Sequence, residues 1–97
     1  MFKVEESNNY YVVIPTASYL QEHFDRFSFP YDTNWEIYKL YNYEPRQFFE
    51  YIISAFNATV EFQESFPYAT VKFKEQKNAL AFKAELEQRV EEQDKKS

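Results

Sequence analysis

The chain has 97 residues, close to the commonest size of a protein domain, so we expect residues 1–97 to form a single domain. It contains no cysteine, no glycine and one histidine, which excludes disulfides, thiolate and multi-histidine metal sites, and glycine-rich phosphate loops. Its formal charge of -5, from 16 acidic and 11 basic residues, disfavours binding to a nucleic-acid backbone.

Aromatic residues make up 22% of the chain, and each large ring can bury about 150–250 Å², so a core needs no disulfides. No segment has the pattern of a signal peptide and no run of about 18 apolar residues occurs, so we expect a cytoplasmic protein that does not enter a membrane. The frequent Phe, Tyr, Ile, Asn and Lys are typical of AT-rich coding DNA, which favours a bacteriophage or an AT-rich bacterium as the source.

The first part of the chain is typical of β structure. Residues 2–6 alternate between apolar and polar, and residues 10–14 form a β-branched and aromatic run that Pro15 closes. Ser7-Asn8-Asn9 between them has the composition of a turn. We therefore predict a hairpin, or one strand after a frayed start.

A short helix is predicted over residues 18–27, where Leu20 and Phe24 begin an apolar stripe at helical spacing. Residues 28–34 contain two turn formers and show no periodicity, which indicates a loop. Residues 35–42 then have the aromatic and branched side chains of a strand.

A second helix is predicted over residues 45–56. Glu44 and Pro45 suit its first turn, and Asn57 suits the left-handed position after its last turn. Its broad apolar stripe consists of Phe48, Phe49, Ile52, Ile53 and Phe56.

Two alternating segments, 59–63 and 68–74, predict an antiparallel pair of strands. A last helix is expected from about Gln76, and the charged tail 91–97 should fray. The strand residues that we expect to face a core are Val60, Phe62, Ala69, Val71 and Phe73. The expected apolar face of the last helix consists of Ala79, Phe82, Leu86 and Val90.

The order of elements from residue 35 is strand, helix, strand, strand, helix. This order predicts an α+β fold, specifically a ferredoxin-like α/β sandwich with helices packed on one face of an antiparallel sheet. The strand at 10–14 would join this sheet as an added N-terminal strand in a permuted arrangement.

Residues 67–73 and the helix that follows resemble the third strand and second helix of the RNA-recognition motif family, and residues 37–42 resemble its first strand. The resemblance covers at most residues 35–90 and implies exposed rings on which bases stack. An RNA-binding or single-strand-binding module is therefore one alternative function. Its candidate residues are Tyr38, Tyr68, Lys72 and Lys74.

Catalytic chemistry has little support in the sequence. The carboxylates scatter without the spacing of an acid–base pair or a calcium loop, and His23 has no evident nucleophile to activate. We therefore predict that the protein is not an enzyme and has no catalytic residues, no metal and no cofactor.

Many tyrosines and phenylalanines lie outside the apolar periodicities, although core filling in a glycine-free chain explains them equally well. Tyr and Trp are favoured as interface anchors. Our leading hypothesis is a non-enzymatic acidic regulatory protein, phage-encoded, that docks on a host or partner protein as an inhibitor or adaptor. The predicted partner-binding residues are Trp35, Glu36, Tyr38, Tyr41, Tyr43, Glu44, Glu61, Glu64, Phe66 and Tyr68.

In one version of this hypothesis the acidic surface imitates nucleic acid, with charge from Glu36, Glu44, Glu61 and Glu64. A further alternative is a structural or assembly subunit whose rings are buried in a homo-oligomer. A protein partner is thus expected first, a nucleic acid is disfavoured by the net charge, and no membrane is expected.

Overall fold

The computed structural model of the protein describes residues 1–23, 37–62 and 69–96. These residues form strands and helices in both halves of the chain, which confirms the predicted α+β class. In chain order the elements are β1 (Phe2–Ser7), β2 (Tyr10–Pro15), α1 (Ala17–Glu22), a 3-10 helix (Ile37–Tyr41), α2 (Pro45–Phe56), β3 (Thr59–Phe62), β4 (Ala69–Lys72) and α3 (Gln76–Lys96).

The strands β1 and β2 form the predicted hairpin. They pair antiparallel, with Phe2 opposite Pro15 and Ser7 opposite Tyr10. The turn residues Asn8 and Asn9 have positive φ angles of 37° and 72°. Two-residue hairpin turns require such angles, and asparagine is the residue that adopts them most readily when glycine is absent.

The strands β3 and β4 form the second predicted antiparallel pair, from Thr59 opposite Lys72 to Phe62 opposite Ala69. An isolated bridge connects the two pairs, since Tyr11 N–H donates to the Phe73 carbonyl at 2.7 Å and Phe73 N–H donates back at 2.9 Å. The two sheets therefore lie side by side in the order β1-β2-β4-β3.

The core forms where α3 and α2 cover one face of these strands. All four residues of the predicted apolar face of α3 are fully buried, which confirms that prediction. Each large side chain in such a core contributes about 1.5–3 kcal/mol through burial. The partners of this face are Phe48, Phe49 and Ile52 from α2 and Val13, Ala69, Val71 and Phe73 from the strand side.

In the described part of the strand predicted over residues 35–42, Ile37–Tyr41 form a 3-10 helix instead, so that prediction is wrong there. Ile37 and Tyr41 are both buried, and the spacing between them fits one face of a strand as well as one turn of a helix. Packing against α3 decides between the two periods. Asn42, with a φ of 57°, follows the helix in the left-handed conformation.

Two residues predicted to lie in the core are largely exposed. Phe62 is 51% exposed and Ile53 is 45% exposed. Phe62 lies at the end of β3, where its ring packs edge-on against the Phe49 ring at 5.4 Å. This contact buries only part of the Phe62 side chain. Ile53 lies on the solvent side of the α2 stripe, because the core contacts are taken by its neighbours.

The ends of two helices differ from the prediction. The helix expected over 18–27 begins at Ala17, where the Thr16 hydroxyl accepts a hydrogen bond from Tyr19 N–H as an N-cap. Its described part ends at Glu22, and the remainder of the prediction lies outside the described residues. The charged tail that we expected to fray is helical as far as Lys96.

The residue Asn57 provides a first test of this fold. It ends α2 with φ 53° and ψ 38°, in the left-handed region. Because a Cβ is disfavoured there, we expect Asn57→Ala to lower the free energy of unfolding by about 1 kcal/mol, and Asn57→Gly to leave it unchanged or raise it. Urea unfolding followed by circular dichroism measures both variants. Equal stability of the Ala and Gly variants would contradict the assignment.

The carboxylate of Glu87 connects α3 to β1. It accepts hydrogen bonds from Phe2 N–H at 3.1 Å and from Lys83 Nζ at 3.0 Å, and the Met1 amino group lies 3.6 Å away. Burial raises the pKa of Glu87, but the hydrogen bonds and positive charges of Lys83, Phe2 and Met1 outweigh it and hold this pKa below its ordinary value.

A pH titration of stability tests this connection. A lowered pKa in the folded state means that Glu87 stabilises the fold above the ordinary glutamate pKa of about 4.3 and that this stabilisation is lost as the pH falls through the folded value. We therefore expect the wild-type protein to unfold at a higher temperature than Glu87→Gln at pH 6. The difference between the two should shrink toward pH 3. A difference independent of pH would show that the charge of Glu87 has no such role.

Candidate binding site around Tyr41

Three elements bring together a group of polar and aromatic residues beside the core. The 3-10 helix supplies Tyr41 and the segment after it supplies Tyr43, while α2 supplies Tyr51 and α3 supplies Glu85 and Arg89. We call these five residues the tyrosine cluster. Tyr41 is 3% exposed and the other four are half-buried, so the cluster extends from the core to the surface.

The carboxylate of Glu85 is the centre of the hydrogen bonding. Its Oε2 accepts a hydrogen bond from the Tyr41 hydroxyl and its Oε1 accepts one from the Tyr51 hydroxyl, each at 2.7 Å. Hydrogen bonds to a charged oxygen are stronger than those between neutral groups. Glu85 therefore links the 3-10 helix and α2 to α3 through side chains far apart in the sequence.

The three tyrosine rings of the cluster also pack against one another. The centre of the Tyr41 ring lies 5.8 Å from that of Tyr43 and 5.9 Å from that of Tyr51. The rings of Tyr43 and Tyr51 meet nearly edge to face, at 5.9 Å and 79°. These separations fall in the favourable range for aromatic pairs, about 4.5–7 Å. The rings therefore form a packed aromatic base beside the polar groups of the cluster.

The guanidinium of Arg89 stacks on this base, with its Cζ atom 4.7 Å from the centre of the Tyr41 ring. Within the described residues Arg89 makes no ion pair and no hydrogen bond through its side chain, although Glu85 lies one helical turn earlier. The hydroxyl of Tyr43 likewise has no hydrogen bond in the described part of the chain. Two groups with strong hydrogen-bonding capacity are thus left unused at the edge of the cluster.

The phenols that bind Glu85 hold their protons tightly. Burial, followed by the hydrogen bond to Glu85, raises the pKa of Tyr41 far above its ordinary value. The same two causes raise the pKa of Tyr51 to about 12. Both residues therefore act as hydrogen-bond donors to Glu85 at neutral pH.

The structure separates the residues that the sequence predicted for partner binding. Tyr41 is a core residue, so its ring packs beneath the surface and is not accessible to a partner. Tyr38 and Tyr43 are half-buried and pack against the core, and Glu44 is exposed as the N-cap residue of α2. Glu61 is exposed on β3, where it forms an ion pair with Lys72. The remaining predicted residues, Trp35, Glu36, Glu64, Phe66 and Tyr68, lie outside the described residues.

Of the residues expected from the RNA-recognition resemblance, the structure describes Tyr38, Lys72 and Lys74, and Tyr68 lies outside the described residues. Tyr38 lies on the 3-10 helix and not on a strand. Lys72 forms an ion pair with Glu61, and its Nζ lies 4.6 Å from the centre of the Tyr10 ring. The resemblance of residues 37–42 to a first strand is therefore a wrong prediction.

Most of the aromatic rings that the structure describes belong to the core or its margin. Among the aromatic side chains that the structure describes, Phe62 alone is exposed. The alternative that the rings fill the core accordingly explains the larger share of them. The tyrosine cluster differs because its rings also carry polar groups to the surface.

Sequence reasoning missed Tyr51, Glu85 and Arg89 as members of the site. Glu85 and Arg89 flank the apolar stripe of α3 on one side, a position that signals half-buried polar groups next to a core. Their partners lie in other elements, and no periodicity within one helix could identify them.

Other features of the described residues offer less. A shallow depression of about 260 Å³ is lined by Glu6, Asn9, Tyr11 and Lys74, where a hydrogen bond to Glu6 raises the pKa of Tyr11. Residues 1–23, 37–62 and 69–96 contain no group of three acidic or histidine side chains arranged to hold a metal. None of the helices described has the length and apolar character needed to cross a membrane.

Comparison with known proteins gives no further guidance to the site. The chain matches no model of a protein family, no curated protein and no solved structure.

The ionisation of Tyr51 tests the hydrogen bonding of the cluster. Its raised pKa means that the bond to Glu85 is fully present below the ordinary tyrosine value of about 10 and is lost as the pH rises through about 12. Carbon-13 NMR of the tyrosine Cζ atoms should show Tyr51 titrating near the higher value. In Glu85→Gln its pKa should fall toward the ordinary value, and titration near 10 in the wild-type protein would contradict the bond.

Proposed function

We propose that the protein is a non-enzymatic binding protein that docks on a partner protein, with the tyrosine cluster at the centre of the contact surface. The observation that carries this proposal is that the Arg89 guanidinium and the Tyr43 hydroxyl, on a packed aromatic base, make no hydrogen bonds to the described residues. Tyrosine and arginine are among the residues that supply most of the binding energy at protein interfaces.

The packing and hydrogen bonding beneath the site support the proposal. Tyr41 is buried, its hydroxyl is held by Glu85, and its ring packs against Phe48 at 5.1 Å. A partner that contacts Tyr43 and Arg89 would therefore meet groups whose support is already ordered. Ordering a surface before binding reduces the entropy lost on association.

The protonation of the cluster supports binding in preference to catalysis. Its two buried or hydrogen-bonded phenols keep their protons, and Glu85 has both oxygens engaged by those phenols. With both oxygens already accepting from the protein, Glu85 acts as a structural connection between α3, the 3-10 helix and α2.

Three finer parts of the hypothesis differ in their support: the inhibitor or adaptor role, the mimicry of nucleic acid and the ferredoxin-like fold. A site of this kind suits an inhibitor or adaptor that acts on a host protein in the cytoplasm. Mimicry of nucleic acid has less support. Of its four predicted acids the structure describes Glu44 and Glu61, and Glu61 forms an ion pair with Lys72. A ferredoxin-like sandwich is supported by the antiparallel strands and the two covering helices, but a 3-10 helix stands where its predicted order begins with a strand.

A homo-oligomer is a second candidate, favoured by the exposure of Ile53 and Phe62. Both side chains lie near Phe49, Ile53 one helical turn after it and Phe62 in ring contact with it. Contact between two copies would bury them. Sedimentation over a wide range of protein concentration distinguishes this candidate, since a monomer throughout would exclude it.

Affinity capture tests the docking proposal. The tagged chain is used to recover proteins from a lysate of its source organism after nuclease treatment, and bound proteins are identified by mass spectrometry. We expect one stoichiometric partner whose recovery falls at least about tenfold with Tyr43→Ala, because an interface tyrosine commonly contributes about 2 kcal/mol or more.

Tyr10→Ala is the matched control, since Tyr10 is a half-buried tyrosine on β2, outside the cluster. Its recovery of the partner should equal that of the wild-type protein, and thermal unfolding should show that both variants are folded. Equal recovery by Tyr43→Ala, or a partner that disappears with nuclease, would refute docking through this cluster.

A further inference from the structure

The position of Arg89 is unusual for an arginine at a helix surface. It is half-buried, stacks on the Tyr41 ring at 4.7 Å, and in the described residues its N–H groups meet no acceptor. A glutamate one turn before an arginine on a helix commonly forms an ion pair with it. Here that glutamate is Glu85, and it is bound to two phenols instead.

The two phenols explain why Arg89 forms no ion pair with Glu85. Glu85 receives a hydrogen bond on each carboxylate oxygen, from Tyr41 and from Tyr51. The negative charge is thus stabilised without Arg89. Stacking on an aromatic ring holds the guanidinium plane in place and leaves the N–H groups at its edge available for a planar, two-oxygen acceptor.

We propose that Arg89 binds a carboxylate group of the partner protein, at a site bordered by Tyr43. This inference rests on the proposed docking function and names the chemistry that the partner brings. The guanidinium supplies a two-pronged hydrogen bond and a full positive charge. Tyr43 packs against the same Tyr41 ring, with 5.8 Å between the ring centres, and its hydroxyl makes no hydrogen bond to the described residues.

The charge around the site favours a carboxylate over a phosphate. Glu85 belongs to the same cluster, and its negative charge repels a dianion about twice as strongly as a monoanion. The net charge of the chain, -5, adds to this effect. A nucleic acid is disfavoured further, since it requires several neutralising cations and not one arginine.

A carboxylate of a protein partner has two sources, an acidic side chain or a free C-terminus, and both present the same planar group to Arg89. Three short peptides separate them. The first has a single glutamate with both ends blocked, the second replaces that glutamate with glutamine, and the third has a free C-terminus and no acidic side chain. Inorganic phosphate is the fourth probe.

The experiment follows the side-chain Nε–Hε signal of Arg89 in the nitrogen-15-labelled full-length chain. We expect a saturable shift with the glutamate peptide, the free C-terminal peptide or both, and none with the glutamine peptide. The responding peptide identifies the source of the carboxylate. Binding should weaken at least tenfold in Arg89→Gln, measured from backbone amide shifts, and less in Arg89→Lys, which keeps the charge but loses the planar group.

Contrary results are equally clear. A shift with phosphate alone, equal shifts with the glutamine peptide, or unchanged affinity in Arg89→Gln would overturn the carboxylate assignment. A captured partner that is lost with Tyr43→Ala but retained with Arg89→Gln would overturn it while leaving the docking function intact. Loss of the docking function would instead appear as capture unaffected by either variant. Thermal unfolding shows whether each variant is folded.

Discussion

The buried face of α3 is the constraint on which the described structure depends. Ala79, Phe82, Leu86 and Val90 are all fully buried, and both β1 and β2, the 3-10 helix and α2 contact this helix. A helix with one fully buried stripe has two flanks where side chains are half-buried. Polar residues at those flanks can reach neighbouring elements while remaining close to water.

Each flank of α3 carries one glutamate that connects it to other elements. On one side Glu87 accepts hydrogen bonds from Phe2 N–H and from Lys83 Nζ, and so connects β1 to α3. On the other side Glu85 accepts two phenols and connects the 3-10 helix and α2. These half-buried carboxylates are satisfied by hydrogen bonds, which offsets the cost of removing them from water. Arg89 lies on the second flank, where its guanidinium stacks on the Tyr41 ring.

The two flanks therefore differ in what they leave unused. At Glu87 the acceptor and donor groups satisfy one another, and the result is a structural connection. At the tyrosine cluster the aromatic and carboxylate groups are satisfied, but Arg89 and Tyr43 keep free hydrogen-bonding capacity in the described part of the chain. Such capacity at a half-buried, rigid surface is what a protein partner can use, and it is the physical basis of the proposed function.

The sequence by itself determined the local elements: the hairpin with its Asn8-Asn9 turn, helix α2 with Asn57 after it, and the buried stripe of α3. These depend on periodicity and on residues that accept positive φ, both of which are properties of neighbouring positions. Tertiary structure decided whether Ile37 and Tyr41 share a strand or a helical turn, because their spacing fits both. It also decided that Tyr41 and Glu85, far apart in the chain, meet; only packing of α3 against the 3-10 helix brings such residues together.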